Sequence, residues 1–153
     1  MGGVSDGFLK RDTVQGRLAN VLTGHVSLAN NGGFIQMATD LSLFPSSSLT
    51  VDASAFDGIE LDVLYDGDAP KQTFNVHLRN PACSRQFSSY RSTFEMTKGK
   101  IWDTIRIPFT SFVGYGPGAN DIPLDVSALR RIGIVAIGEE MKVYLALAGL
   151  RFY

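Results

Sequence analysis

Two carboxylates, Glu60 and Asp62, stand two residues apart in the segment Ile59–Tyr65. In an extended strand that spacing puts both on one face, with Cα atoms about 6.6–7 Å apart. Side chains so placed can reach the roughly 5–5.5 Å carboxyl separation of a retaining glycosidase. Acid/base chemistry and Ca²⁺ ligation are the reactive readings of the pair. A solvated sheet face is the plainer reading and the favoured one, because nothing else in the chain builds a glycosidase. The other chemistry-bearing types are sparse. His25 and His77 are the two histidines and Cys83 the one cysteine, too few for a zinc site of three or four clustered ligands. A single cysteine also excludes an intramolecular disulfide, and Cys83 reads as a small, semi-buried side chain. His25, Ser27 and Asp40 are the residue types of a triad, without the Gly-x-Ser-x-Gly elbow that would present the nucleophile. Asp66, Asp68 and Asp121 sit in turn-forming stretches and lack the length and closing Glu of an EF-hand loop. The pairs Gly2-Gly3 and Gly32-Gly33 precede no helix, so they lack the dipole that would hold a phosphate. No catalytic set, no metal and no cofactor is expected.

A wider constellation is more suggestive. Gln36, Asn75, His77, Arg79, Arg91 and Arg106 all fall on the polar phases of strands expected to share a sheet. Planar polar groups near aromatic rings suit sugar hydroxyls, and guanidinium suits carboxylates. His77, Arg79, Arg91 and Arg106 are the expected anchors, with Gln36 and Asn75 orienting the ligand and the 114–123 loop beside them. Tyr65, Tyr90 and Trp102 lie close by in sequence, with Trp102 and Phe94 assigned to the core. An ordinary hydrated sheet face is the competing account.

The elements that would position these groups are short apolar segments between Gly, Pro, Asn, Asp and Ser. His25–Asn30 and Phe34–Thr39 flank "NNGG" and read as a hairpin. The stretch from Leu41 to Phe56 reads as a loop. Ile59–Tyr65 and Thr73–Arg79 alternate, burying Ile59, Leu61 and Val63, then Phe74, Val76 and Leu78. Phe87–Met96 reads as a strand with a bulge, to accommodate aromatics at 87, 90 and 94. Ile101–Phe109 is a strand ended or edged by Pro108. Asp125 caps a short turn over Asp125–Arg130. Ile132–Ile137 is apolar throughout and reads as buried on both faces. Lys142–Tyr153 closes as one long or bulged strand. About eight or nine strands at this spacing indicate an antiparallel β-sandwich or jelly roll.

The 153 residues suit one domain, and 44% hydrophobic residues suit an ordered core. A formal net charge of -1 argues against nucleic-acid partners, which need a basic face. No apolar run reaches the roughly 18–20 residues of a membrane span, so no direct membrane insertion is expected. No secretory signal opens the chain, which is therefore expected to be cytoplasmic.

The ordered series "MGGVS", "NNGGFIQM", "FDGIELDV", "YRSTFEM", "WDTIRIPFTSF" and "LRRIGIVAIG" resembles the complex I intermediate-associated protein 30 family over nearly the whole chain. The resemblance implies a galactose-binding-like β-sandwich, similar to carbohydrate-binding modules, with no catalytic signature. It also implies, from mitochondrial members, a role in assembling a respiratory complex through protein contacts. In the family, "MGGVS" follows an earlier strand. The expectation is therefore one domain over 1–153 that lacks that strand, with "MGGVSDGF" as a loop and the vacant edge covered by a second copy in a homo-oligomer, by the C-terminal "LRFY" or by another chain. The function expected is a non-catalytic module for a carbohydrate or protein ligand. The alternative is an assembly factor docking through a sheet edge, and a hydrolase using Glu60 and Asp62 is the least favoured.

Overall fold

The structure is a computed structural model that describes residues 4–41 and 50–153. Ten strands follow one another: β1 Asp6–Val14, β2 Arg17–Val26, β3 Phe34–Asp40, β4 Gly58–Tyr65, β5 Lys71–Arg79, β6 Ser89–Thr97, β7 Asp103–Pro108, β8 Val113–Tyr115, β9 Arg131–Ile137 and β10 Met141–Phe152. They form two antiparallel sheets. The first has the order β1-β2-β10-β4-β7 and the second β3-β9-β5-β6-β8. Among the described residues the helical elements are two 3₁₀ turns, Phe109–Ser111 and Val126–Ala128.

The alternation of β4 and β5 does what it predicts. Ile59, Leu61, Val63, Phe74, Val76 and Leu78 are all buried between the sheets. Tyr65 meets Phe74 edge-on at 5.7 Å, and Phe74 stacks on Phe94 at 5.7 Å. These rings tie β4 of one sheet to β5 and β6 of the other. Pro108 ends β7, an edge strand, where its missing N–H costs no ladder bond. The Asp125 carboxylate accepts from the Ser127 backbone N–H at 2.9 Å and caps its turn. β10 runs as one strand with a register break between Leu147 and Gly149.

Three local expectations need correction. Asp6–Phe8, read as loop, opens the edge strand β1, which pairs with β2 throughout. The connection is Gln15-Gly16, with φ of 44° and 77°. Positive φ at both central residues is the geometry of a two-residue hairpin. Second, His25–Asn30 is not a strand of a hairpin with β3: β2 ends at Val26 and β3 lies in the other sheet. Asn30, Asn31 and Gly32 all take positive φ, and this left-handed run carries the chain from one sheet to the other. Third, β6 has no bulge, since β5 and β6 pair without a register break. Phe87 lies ahead of the strand, so the aromatic spacing needs no irregularity. Gly2-Gly3 and residues 42–49 of the expected 41–56 loop lie outside the described residues; within them, Val51 bridges Leu129.

Candidate functional site

The outer face of the second sheet carries a groove of about 630 Å³, within the range of small-ligand sites. Strand register sets its floor. One cross-strand row runs Ala38, Gly133, His77 and Arg91; the next runs Gln36, Val135, Asn75 and Thr93. A third row brings Asp40, Arg131 and Arg79 abreast. Gly133 carries no side chain in the middle of this floor; a Cβ there would stand 3.3 Å from the Ala38 Cβ and 3.5 Å from the Gln36 Oε1. Phe34 on edge strand β3 and Phe87 ahead of β6 line opposite sides, with 40% and 65% of their surface exposed. Rings this size are rarely left exposed without a purpose when they share a concave face with convergent polar groups.

Each expected site residue has a definite place. Gln36, His77, Arg79 and Arg91 line the groove together. Asn75 shares the sheet face but sits beside the groove, between Val135 and Thr93. Arg106 belongs elsewhere. It is on β7 of the first sheet, where its Nε donates to the Glu60 carboxylate at 2.6 Å. The expectation that all six share a sheet fails there because residue phase fixes a face of a strand, while strand order fixes its sheet.

The three guanidinium groups of the groove have different duties. Arg79 donates to the backbone carbonyls of Gln86 and, at 2.8 Å, Arg85, so it fastens the loop that carries Phe87. Arg91 donates from Nε to the Ser89 hydroxyl at 3.0 Å and lies 4.7 Å over the Tyr115 ring. Arg131 pairs with Asp40 at 2.9 Å. Burial first, and then the positive charge of Arg91, lowers the His77 pKa to about 4, so its imidazole is neutral near pH 7. Its Nε2 is buried without a hydrogen-bond partner among the described residues.

The 114–123 loop, expected beside the ligand, lines none of the groove and instead supports its wall. The Pro117 carbonyl accepts from the hydroxyls of Ser84 and Ser88 at 3.0 and 2.9 Å. Gly118 makes this approach possible: its φ is +84°, and a Cβ there would lie 1.8 Å from the Ala82 carbonyl oxygen. Gly118→Ala should therefore cost at least about 1–3 kcal/mol, read as a lowered Tm in thermal unfolding. A Tm equal to that of the parent would mean this loop packing is not maintained.

Sequence reasoning missed Phe34, Phe87 and Arg131. The signals were present. Phe34 shares the period-2 phase of Gln36, and Arg131 shares that of Gly133 and Val135.

The opposite face, on the first sheet, is built as a closed ion network rather than a solvated surface. Glu60 and Asp62 are buried, at 8% and 7% exposure. Arg151 donates to Asp62 at 2.9 and 3.2 Å and also pairs with Glu60. Arg17 and Thr104 donate to Asp62 at 3.0 and 2.8 Å. Arg17 and Arg106 lie over the Trp102 and Tyr153 rings at 5.0 and 4.7 Å. The bond from Arg106 holds the Glu60 pKa down, and the bonds from Arg151 and Arg17 hold Asp62 well below the usual carboxylate range. A glycosidase acid needs the opposite shift. Trp102 is only partly buried in a small cluster outside the main core, donating from Nε1 to the Val14 carbonyl at 3.1 Å.

Two antiparallel sheets, with a groove across the outer face of one, define a jelly-roll sandwich of the galactose-binding-like type found in carbohydrate-binding modules. The family model for complex I intermediate-associated protein 30 matches residues 1–146, and the chain belongs to that family. No curated protein matches it in sequence. Among solved structures it is similar to a family 11 carbohydrate-binding module from Clostridium thermocellum, in complex with a β-1,3-1,4-mixed-linked tetrasaccharide. That match has a TM-score of 0.73 and 16% identity, covering 99% of this chain and 84% of the module. A family 30 carbohydrate-binding module gives a TM-score of 0.61 at 15% identity, over 95% of this chain and 83% of the other. An exo-β-agarase gives 0.58 at 11% identity, over 97% of this chain and only 22% of the enzyme. At these identities the likeness establishes the fold. Family and fold together support a non-catalytic binding module.

Proposed function

We propose that the chain is a non-catalytic glycan-binding module whose ligand lies across the groove of the second sheet. One observation carries this reading: exposed Phe34 and Phe87 face a shared concavity that also holds Gln36, His77 and Arg91. Aromatic faces take the C–H surfaces of sugars, and the planar polar groups take their hydroxyls. The fold likeness to a module bound to a tetrasaccharide is consistent with that use. Calorimetry against a panel of oligosaccharides tests it. Phe87→Ala and Phe34→Ala should each weaken binding about fivefold or more, by losing a ring contact of about 1–3 kcal/mol. Circular dichroism should not change, because both rings are exposed. Undiminished binding in both variants would remove the groove as the site.

A second reading, docking onto a protein partner during complex assembly, has its own observation. β1 is the outer strand of the first sheet, and Phe8 and Leu9 on it are 70% and 55% exposed. Such an edge can accept a strand from a partner. Lys10, Arg11 and Asp12 interrupt it with charge, which discourages pairing between copies. This is the reading to keep if no oligosaccharide binds.

A further inference from the structure

The two outer faces carry the same number of guanidinium groups and balance them differently. On the first sheet, Arg17, Arg106 and Arg151 are matched by two buried carboxylates, Glu60 and Asp62. Among the described residues, the groove is lined by Arg79, Arg91 and Arg131 and by no carboxylate. Its nearest counter-charge is Asp40, an exposed partner of Arg131 alone. This excess of positive charge sits in a chain whose formal net charge is -1, so it belongs to the groove and not to the protein's general composition.

Donor capacity agrees with the charge. A guanidinium has five N–H donors in a planar fork. Among the described residues, Arg91 uses Nε toward Ser89 and Nη2 toward Phe87, and Nη1 has no hydrogen-bond partner. Arg131 uses Nη1 toward Asp40, leaving Nε and Nη2 without one. Both lie on the groove, on strands flanking β5 and offset by two residues in register, so their Cα atoms stand about 12 Å apart by strand spacing and rise. Neutral sugar hydroxyls satisfy guanidinium weakly, whereas a planar carboxylate matches the fork and neutralises the charge. Resting on the glycan-binding reading above, we propose that the ligand is an acidic oligosaccharide, its uronate carboxylates taken by Arg91 and Arg131 while Phe34 and Phe87 hold the ring faces.

The test compares calorimetric affinities of the full chain for oligouronates and for neutral oligosaccharides of equal length, with Arg131→Gln, Arg91→Gln and Asp40→Asn. The oligouronate should bind at least about tenfold more tightly than the neutral sugar, from the greater strength of charge-assisted bonds. That preference should shrink with added salt. Arg131→Gln should lower uronate affinity about tenfold and neutral-sugar affinity by much less. Asp40→Asn, which frees Arg131 from its exposed partner, should raise uronate affinity several-fold, a gain that a merely destabilised protein could not show. Equal or tighter binding of the neutral sugar overturns this inference while the glycan-binding reading stands, as does uronate binding indifferent to both arginine variants. Binding of neither class overturns the glycan-binding reading as well.

Discussion

Phe74→Ala should lower the unfolding free energy by about 3–5 kcal/mol, the range for deleting a large buried aromatic side chain. For a domain of this size that corresponds to a Tm roughly 10 °C lower. Phe74 is 1% exposed. Its ring meets Tyr65 at 68° and Phe94 at 28°, both with centroids 5.7 Å apart. Removing it leaves a cavity between the sheets and takes the central member out of a three-ring cluster. Tyr65 cannot swing in to fill the space without cost, because its hydroxyl donates to the Ala69 carbonyl at 3.0 Å. Phe74→Leu, which keeps most of the volume, should lose much less. The consequence reaches the groove through the strand itself. Phe74 fixes the inward phase of β5, and that phase turns His77 and Arg79 outward. Equilibrium urea unfolding of the three proteins decides the point. A loss under about 1 kcal/mol for alanine would show that the two sheets are held elsewhere.

What the sequence made legible follows the local patterns. Inward residues of β4 and β5 show through strict alternation, the double-sided burial of β9 through an unbroken apolar run, and the end of β7 through Pro108. β1 was opaque for a physical reason: eight of its nine residues are exposed, so no core face imprints a period on them. The ion network was opaque because its partners are remote in the chain. Arg106 stands 46 residues from Glu60, and Arg151 stands 89 from Asp62. Register alone brings Arg106 and Arg151 abreast of Glu60, with Arg151 diagonal to Asp62, and with the partners unseen the two acids looked solvated. The groove was half legible. Phase picked out Gln36, His77, Arg79 and Arg91, but no local pattern says which strands become neighbours, and so Arg106 was grouped with a sheet it does not join. Phe87 was drawn into a strand by its spacing from Tyr90 and Phe94, when it actually crowns the loop in front of that strand.

Acid should destabilise the fold in two separable steps, one from each face. The first belongs to His77. Its ordinary pKa of 6.5 is lowered to about 4 in the folded protein, by burial first and Arg91 second. Between those values the unfolded chain binds a proton at residue 77 that the folded chain does not, so stability falls as pH drops from about 6.5 to about 4. The difference amounts to at most about 3 kcal/mol, reduced by the partial exposure of the ring. The second step belongs to Asp62, whose carboxylate is held ionised first by Arg151 and then by Arg17. Here the folded pKa is depressed below the ordinary 3.8. Its contribution is complete above the unfolded value and is lost as pH falls below about 4, where the unfolded chain protonates first. Urea midpoints measured from pH 7 to pH 3 should therefore decline in two limbs, one between about 6.5 and 4 and one below about 4. His77→Gln should flatten the upper limb and leave the lower one. Asp62→Asn should be less stable than the parent at pH 7, because it leaves Arg151 and Arg17 without their shared anion, and it should lose the part of the lower limb that Asp62 supplies while Glu60 keeps its own. An upper limb that survives in His77→Gln would mean another group titrates there. Oligosaccharide affinity between pH 8 and pH 5.5 should show no step from residue 77, since the imidazole stays neutral throughout and the groove's positive charge comes from its guanidinium groups alone.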